Sequence, residues 1–172
     1  MEHVTHEFPP LFNRECEILI IGSIPSPKSR QQGFYYGHPQ NRFWKVMAEV
    51  LEEPVPVSVE EKKEMMLSHR IALWDALVEC DIEGASDSSI RNPVPADIPW
   101  LISETKIGRI LATGQTAYKY YQKYHYPLTG IQAVRLPSTS PANCAVSLEE
   151  LVKIYRKEIG KDNHSNGCSK TD

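Results

Sequence analysis

The run Glu17-Ile18-Leu19-Ile20-Ile21-Gly22 constrains this chain more than any other segment. Its apolar residues leave no polar face, so as a strand it must be covered on both sides, as in a parallel sheet. The residues that follow, Ser23 to Gln40, are rich in Pro, Gly, Ser and Tyr and predict a long loop. Asn41 to Leu51 then carries apolar residues at helical spacing, with Asn41 as the expected N-cap. Ser58 heads a charged amphipathic helix over Val59 to His69, with Glu61 in the capping-box position. Ile71 to Trp74 is expected as the second strand.

The alternation continues to the C-terminus. Glu79 to Pro99 is polar and proline-broken and reads as an excursion over the surface, before a short helix over Trp100 to Glu104. A strand is expected over Ile107 to Thr113, a helix over Gln115 to Tyr124 and a last strand over Ile131 to Leu136. Ser147 to Ile159 closes the pattern as a helix with its own Ser cap and an acidic first turn, Glu149 and Glu150. Strands alternating with helices imply an α/β fold with parallel strands.

At 172 residues, with 41% hydrophobic and 24% charged residues, the chain predicts one domain over residues 1–159. A disordered tail is expected over 160–172, where Cys168 is the only apolar residue. No stretch approaches the roughly 18 to 20 apolar residues that would cross a bilayer, and Met1 to Phe12 carries acids and prolines instead of an apolar signal core. A cytoplasmic monomer with no membrane partner is the expectation. Cys16, Cys80, Cys144 and Cys168 lie far apart, so no metal site is encoded at close spacing and no cofactor is expected.

The net charge of −3 argues against a polyanionic partner only until the charges are mapped. Ile18 to Ala48 holds no acid but has Lys28, Arg30, Arg42 and Lys45; Thr105 to Leu148 holds no acid but has Lys106, Arg109, Lys119, Lys123 and Arg135. If both stretches reach one face, a net-acidic protein gains a positive surface. In α/β folds ligands bind outside the carboxyl ends of the strands. The loops expected there, Gly22-Ser23-Ile24-Pro25-Ser26 and Pro137-Ser138-Thr139-Ser140-Pro141-Ala142-Asn143, both fall inside the acid-free stretches. Small, proline-stiffened turns in positive surroundings suit contacts to phosphates.

These two loops, together with Tyr36-Gly37-His38-Pro39-Gln40-Asn41-Arg42-Phe43-Trp44-Lys45-Val46, resemble in order and spacing the motifs of the uracil-DNA glycosylase superfamily. Gly114 to Tyr118 and Leu148 to Arg156 resemble its later helices, so the likeness covers most of the chain. It implies a three-layer α/β/α fold with a short, mostly parallel central sheet. It also implies an enzyme of DNA repair that flips a damaged base out of single- or double-stranded DNA and hydrolyses its N-glycosidic bond.

Two departures bear on the chemistry. Ile24 stands where the mismatch-type uracil/thymine enzymes carry the Asn that positions the attacking water, and an aliphatic side chain cannot do so. Ser138 stands where a His or Asn steadies the leaving base. The first and last loops are most similar to the hypoxanthine-DNA (deoxyinosine) glycosylase branch, in which the Asn of the Asn-x-Phe-Trp element is taken as the catalytic side chain, here Asn41.

On that resemblance Asn41 and Ser138 are the catalytic residues. Gly22, Ser23, Ile24, Pro25, Tyr36 and His38 form the base pocket, with Tyr36 stacking on the flipped base. Ser26, Lys28, Arg30, Arg42, Arg135 and Ser140 contact DNA, and Pro141, Ala142 and Asn143 wedge into the vacated stack. Lys28 lies in a polar loop that nothing desolvates, so lyase chemistry through its amine is not expected. His38 could instead be structural, packed against Trp44. A mismatch-specific uracil/thymine glycosylase and a noncatalytic DNA-damage binder remain the alternatives. A dinucleotide enzyme is disfavoured, because the first turn has one Gly followed by prolines.

Overall fold

A computed structural model describes residues 1–6 and 8–171, with side chains as far as residue 160. In chain order the elements are β1 (Glu2–Thr5), β2 (Ile18–Gly22), α1 (Pro27–Gln32), α2 (Phe43–Leu51), α3 (Val59–Ser68), β3 (Ile71–Asp75), β4 (Leu77–Glu83), β5 (Ser86–Pro95), α4 (Ile98–Ser103), β6 (Arg109–Thr113), α5 (Gln115–Tyr124), α6 (Tyr126–Thr129), β7 (Ala133–Leu136) and α7 (Leu148–Thr171). Helix α7 runs through most of the tail expected over 160–172, whose side chains beyond residue 160 lie outside those described.

Strand β2 behaves as its composition demands: all five residues are buried, and it pairs in parallel with β3 on one side and β6 on the other. Ile20 stands opposite Leu73 and Leu111. Burying each such side chain stabilises the fold by about 1.5–3 kcal/mol. The sheet runs β3-β2-β6-β7, wholly parallel. The chain leaves β2 toward β3 and returns past it to β6, which puts the reversal of strand order at the carboxyl ends of β2 and β6, where Gly22 and Thr113 sit. Helices flank this sheet, and α2 packs along α7.

The polar excursion is a correction. Leu77 to Pro95 forms two antiparallel strands, which with β1 make a second sheet ordered β1-β4-β5. Pro93 and Pro95 fit because β5 is an edge strand, where a missing N–H removes no ladder bond, and β4 and β5 slip register at three places. Leu77, Cys80, Ile82, Ile90 and Val4 close a small separate core beneath this sheet, and Ile24 packs against it.

Two local expectations also change. The loop after β2 contains helix α1, started by the Ser26 Oγ accepting from the Ser29 N–H and by Pro27 in its first turn, and ended by Gly33 at φ 74°. Helix α2 is capped by Arg42, not Asn41; Asn41 sits one residue earlier and accepts the Phe43 N–H on its Oδ1. The Ser58/Glu61 capping box and the Ser147 cap form as expected. Among the described residues no helix is long and apolar enough to cross a membrane.

Candidate active site

The carboxyl ends of β2, β3 and β6 and the loops after β2 and β7 enclose a cavity of about 280 Å³. That is at the small end of the roughly 300–1,000 Å³ typical of small-ligand sites and is ample for one flipped base. Gly22, Ser23, Ile24, Pro25, Ser26, Tyr36, His38, Asn41, Ser138, Ser140, Pro141 and Ala142 all line it. Residues separated by more than a hundred positions are thus brought together because both loops leave the same end of one parallel sheet.

The aromatic platform is built from behind. Tyr36 stacks on Phe43, with ring centroids 3.9 Å apart and planes 13° from parallel, which leaves its other face for the cavity. Its backbone is left-handed at φ 55°, a strained setting for an aromatic residue. Three bonds hold it there: the Trp44 Nε1–H donates to the Tyr35 carbonyl, the Gly37 N–H to the Ser29 Oγ, and the Tyr36 hydroxyl meets the Thr113 Oγ1 at 3.2 Å. Burial pushes the Tyr36 phenol well above its ordinary range, aided by the nearby Asp75 carboxylate, so it stays protonated. Trp44 packs with Phe34 and Phe43; His38 lines the cavity and accepts the Gln40 N–H on its Nδ1.

Asn41 is oriented by two donors on one oxygen. Its Oδ1 accepts the Phe43 N–H at 2.9 Å and the Thr139 hydroxyl at 2.8 Å. A backbone N–H fixes which end of the amide is oxygen, so Nδ2 is the end left to act, and it acts as a donor. With two donors already on it, this oxygen is not free to orient a water. In the last loop the Ser138 Oγ accepts the Ser140 N–H and the Ser140 Oγ accepts the Ala142 N–H, so each hydroxyl keeps its proton to donate.

The basic residues divide differently from the sequence expectation. The Arg42 guanidinium donates to the carbonyls of Val146, Asn143 and Ser140 and holds the last loop against α2. The Asn143 Nδ2 donates to the Ser138 carbonyl within that loop. Arg30 reaches Glu2, and Arg135 reaches the Gln115 side chain. Lys28 is exposed on α1. Lys28, Arg30, Arg42, Arg135 and Asn143 do not line the cavity. Lys106 and Arg109 pair with Glu15 and Glu158, next to and at the amino end of β6, away from the site. The two loops converge on one face, but their stretches' charges do not all follow.

Sequence reasoning missed the carboxylates. Asp75, the last residue of β3, lines the cavity floor beside Thr113 and pairs with His6, its Oδ2 2.7 Å from the His6 Nε2. The two side chains are 6% and 1% exposed. Asp87, from β5, stands at the mouth, where the Ser23 hydroxyl donates to it at 3.4 Å. Desolvation raises the Asp87 carboxyl, against the opposing hydrogen bonds of Thr116 and Ser23. Trp74-Asp75-Ala76 carries no motif, and Asp87 lies in the stretch read as a surface excursion. Among the described residues no group of three or more His, Cys, Asp or Glu side chains could hold a metal ion.

An α/β protein whose base-sized cavity opens at the reversal point of a parallel sheet belongs to a broad class. The comparisons narrow it: residues 9–158 match the model of the uracil DNA glycosylase superfamily, and the chain belongs to that family. It is 36% identical over 141 residues to a hypoxanthine DNA glycosylase of Methanosarcina acetivorans, covering 79% of this chain and 86% of that one. A hypoxanthine DNA glycosylase of Methanosarcina barkeri is 34% identical over 86 residues, 49% of this chain and 54% of that one. A solution NMR structure described as a candidate uracil DNA glycosylase from Methanosarcina acetivorans aligns with a TM-score of 0.74 at 31% identity, covering 87% of this chain and 94% of that one.

Proposed function

We propose that this protein is a monofunctional DNA glycosylase that hydrolyses the N-glycosidic bond of deoxyinosine in DNA and releases hypoxanthine. The observation that carries the reading is the meeting of the Tyr36 face and the Asn41 amide in one base-sized cavity, in a chain 36% identical to a hypoxanthine DNA glycosylase. A base flipped from the stack lies on Tyr36, and the loop Ser138 to Ala142 stands at the mouth where the sugar and its phosphates pass.

Breaking the bond leaves an oxocarbenium-like sugar and a base that takes the electron pair. The Asn41 Nδ2 and the Ser138 hydroxyl are donors placed to stabilise that negative charge as it develops. Because the sugar cation captures water readily once it has formed, a site that drives departure of the base tolerates Ile24 in place of a water-holding amide. Water then adds to the sugar carbon, and its proton leaves to solvent or to the departing base. Lys28, exposed on α1, is not set up for Schiff-base chemistry, so the product is an intact abasic strand.

Single-turnover assays on strands containing deoxyinosine, uracil opposite guanine, or deoxyxanthosine test this reading. Release of hypoxanthine in preference to uracil, without strand scission and insensitive to chelators, is the expected result. Preferential release of uracil would make the protein a mismatch-type enzyme, and tight binding without an abasic product would make it a damage binder.

A further inference from the structure

The floor of the cavity holds a carboxylate oxygen with nothing to bind. The Asp75 Oδ2 is taken by His6, whereas Oδ1 has no hydrogen-bond partner among the described residues. It lies so close to the β2 terminus that a Cβ added to Gly22 would sit 2.6 Å from it, with the Tyr36 hydroxyl 3.5 Å and the Thr113 Oγ1 3.7 Å from the same point. Oδ1 therefore lies at the deep end, beside the stacking ring, while Ser138 to Ala142 form the mouth. A charged side chain this buried needs a partner, and His6 supplies only half of one.

Given the glycosylase reading above, we infer that Asp75 reads the deaminated base, its Oδ1 accepting the ring N–H that deamination creates, and that His6 is a positioning residue that keeps the carboxylate to a single free oxygen. A base attached to its sugar at the mouth presents its far edge to the floor. Adenine presents a ring nitrogen with a lone pair there, which a carboxylate oxygen repels. Hypoxanthine presents N1–H, which the same oxygen accepts. Guanine also has N1–H but adds an amino group beside it, and a carboxylate with both oxygens free would bind that pair bidentately. With Oδ2 already accepting from the buried His6 ring, the amino group meets at best a shared oxygen, which disfavours guanine. Uracil has an N–H flanked by two carbonyls, one of which always faces the carboxylate. One free oxygen at this depth thus favours hypoxanthine over two undamaged purines and over uracil.

A carboxylate opposes the negative charge that grows on the leaving base, so the effect of Asp75 belongs to base selection and not to the maximal rate. Binding of free hypoxanthine, adenine and guanine to the intact chain, followed by NMR shifts, measures selection without turnover. The wild-type protein should bind hypoxanthine over adenine, and Asp75→Asn should shrink that ratio on the order of 10- to 100-fold. The same variant should raise the half-saturating concentration of deoxyinosine DNA more than it lowers the single-turnover plateau rate. His6→Ala should relax rejection of guanine, and His6→Gln, which restores a donor, should recover it. Melting curves identify a variant that has merely lost its fold; in that case Asp75→Glu, which keeps the charge but moves it, must lose the ratio instead. If Asp75→Asn keeps the wild-type ratio while the wild-type protein excises hypoxanthine, this inference fails and the glycosylase reading stands. If the wild-type protein excises no hypoxanthine, the glycosylase reading itself fails.

Discussion

The floor and the mouth of the cavity are built by different means. The floor consists of strand ends: Gly22, Asp75 and Thr113 are held by the register of a parallel sheet, and their positions follow from burial of β2 on both faces. The mouth consists of loops that hold themselves, through Ser138 to Ser140, Ser140 to Ala142 and Asn143 to Ser138, tied to α2 by Arg42 and to α7 by the Tyr155 hydroxyl on the Pro137 carbonyl. A sheet terminus places an atom rigidly, which suits discrimination between bases. A loop rich in hydroxyls presents donors to a sugar and its phosphates, which suits binding DNA and bond cleavage. The division separates recognition from chemistry and can be broken from either side.

The largest effect is expected at the mouth. Asn41→Ala removes the donor Nδ2 and should lower single-turnover excision on the order of 10²- to 10³-fold with DNA affinity nearly unchanged. A filter-binding curve beside the excision time course checks both halves. At the floor, Gly22→Ala would drive a methyl group into the Asp75 carboxylate at 2.6 Å. Because His6 holds that side chain, excision should fall by about 10- to 100-fold and stability by roughly 1–3 kcal/mol, read from excision rates and urea midpoints.

Arg42→Met tests what holds the mouth together. The loop carbonyls of Asn143 and Val146 lose charged donors, so stability should fall by about 1–3 kcal/mol and excision should drop while DNA affinity changes less. Were Arg42 a phosphate contact instead, affinity and its salt slope would fall first. Lys28→Glu should weaken DNA binding several-fold, by less as salt rises, whereas Lys106→Glu, near the far end of β6, should leave binding unchanged. Titration in two salt concentrations separates the two lysines.

The smallest effect concerns a buried histidine behind the floor. The His125 Nε2–H donates to the Ala76 carbonyl at 2.9 Å. Burial lowers its pKa below the ordinary 6.5, so the fold favours the neutral ring. Its folded pKa is depressed, so this contribution is complete above pH 6.5 and is lost as pH falls below it. Urea midpoints should decline on acidification through that window, and less so in His125→Gln.

How much of this was legible in the sequence depends on how local each cause is. Strand β2 was visible because an apolar run has one physical solution, and α5 and the Ser58 cap because their signals lie within a few residues. The loops at the carboxyl ends followed from the rule for parallel sheets. The antiparallel sheet was hidden because β4 and β5 are short of apolar residues, bulged and broken by prolines, and they bury only one face on a five-residue core. The hold of Arg42 on the last loop was hidden because its carbonyl partners lie about a hundred positions away. Asp75 was invisible for the same reason: its meaning comes from His6, 69 positions upstream, and from a cavity that exists only once the sheet is assembled.

The division between floor and mouth is tested most directly by one paired measurement: hypoxanthine-over-adenine binding and single-turnover excision of deoxyinosine, each on Asn41→Ala and on Asp75→Asn. Asn41→Ala should keep the binding ratio and lose excision; Asp75→Asn should lose the ratio and keep more of its plateau rate than Asn41→Ala. If both variants lose both properties in parallel, or if Asn41→Ala alone sets the ratio, recognition and cleavage are not divided between the sheet ends and the loops.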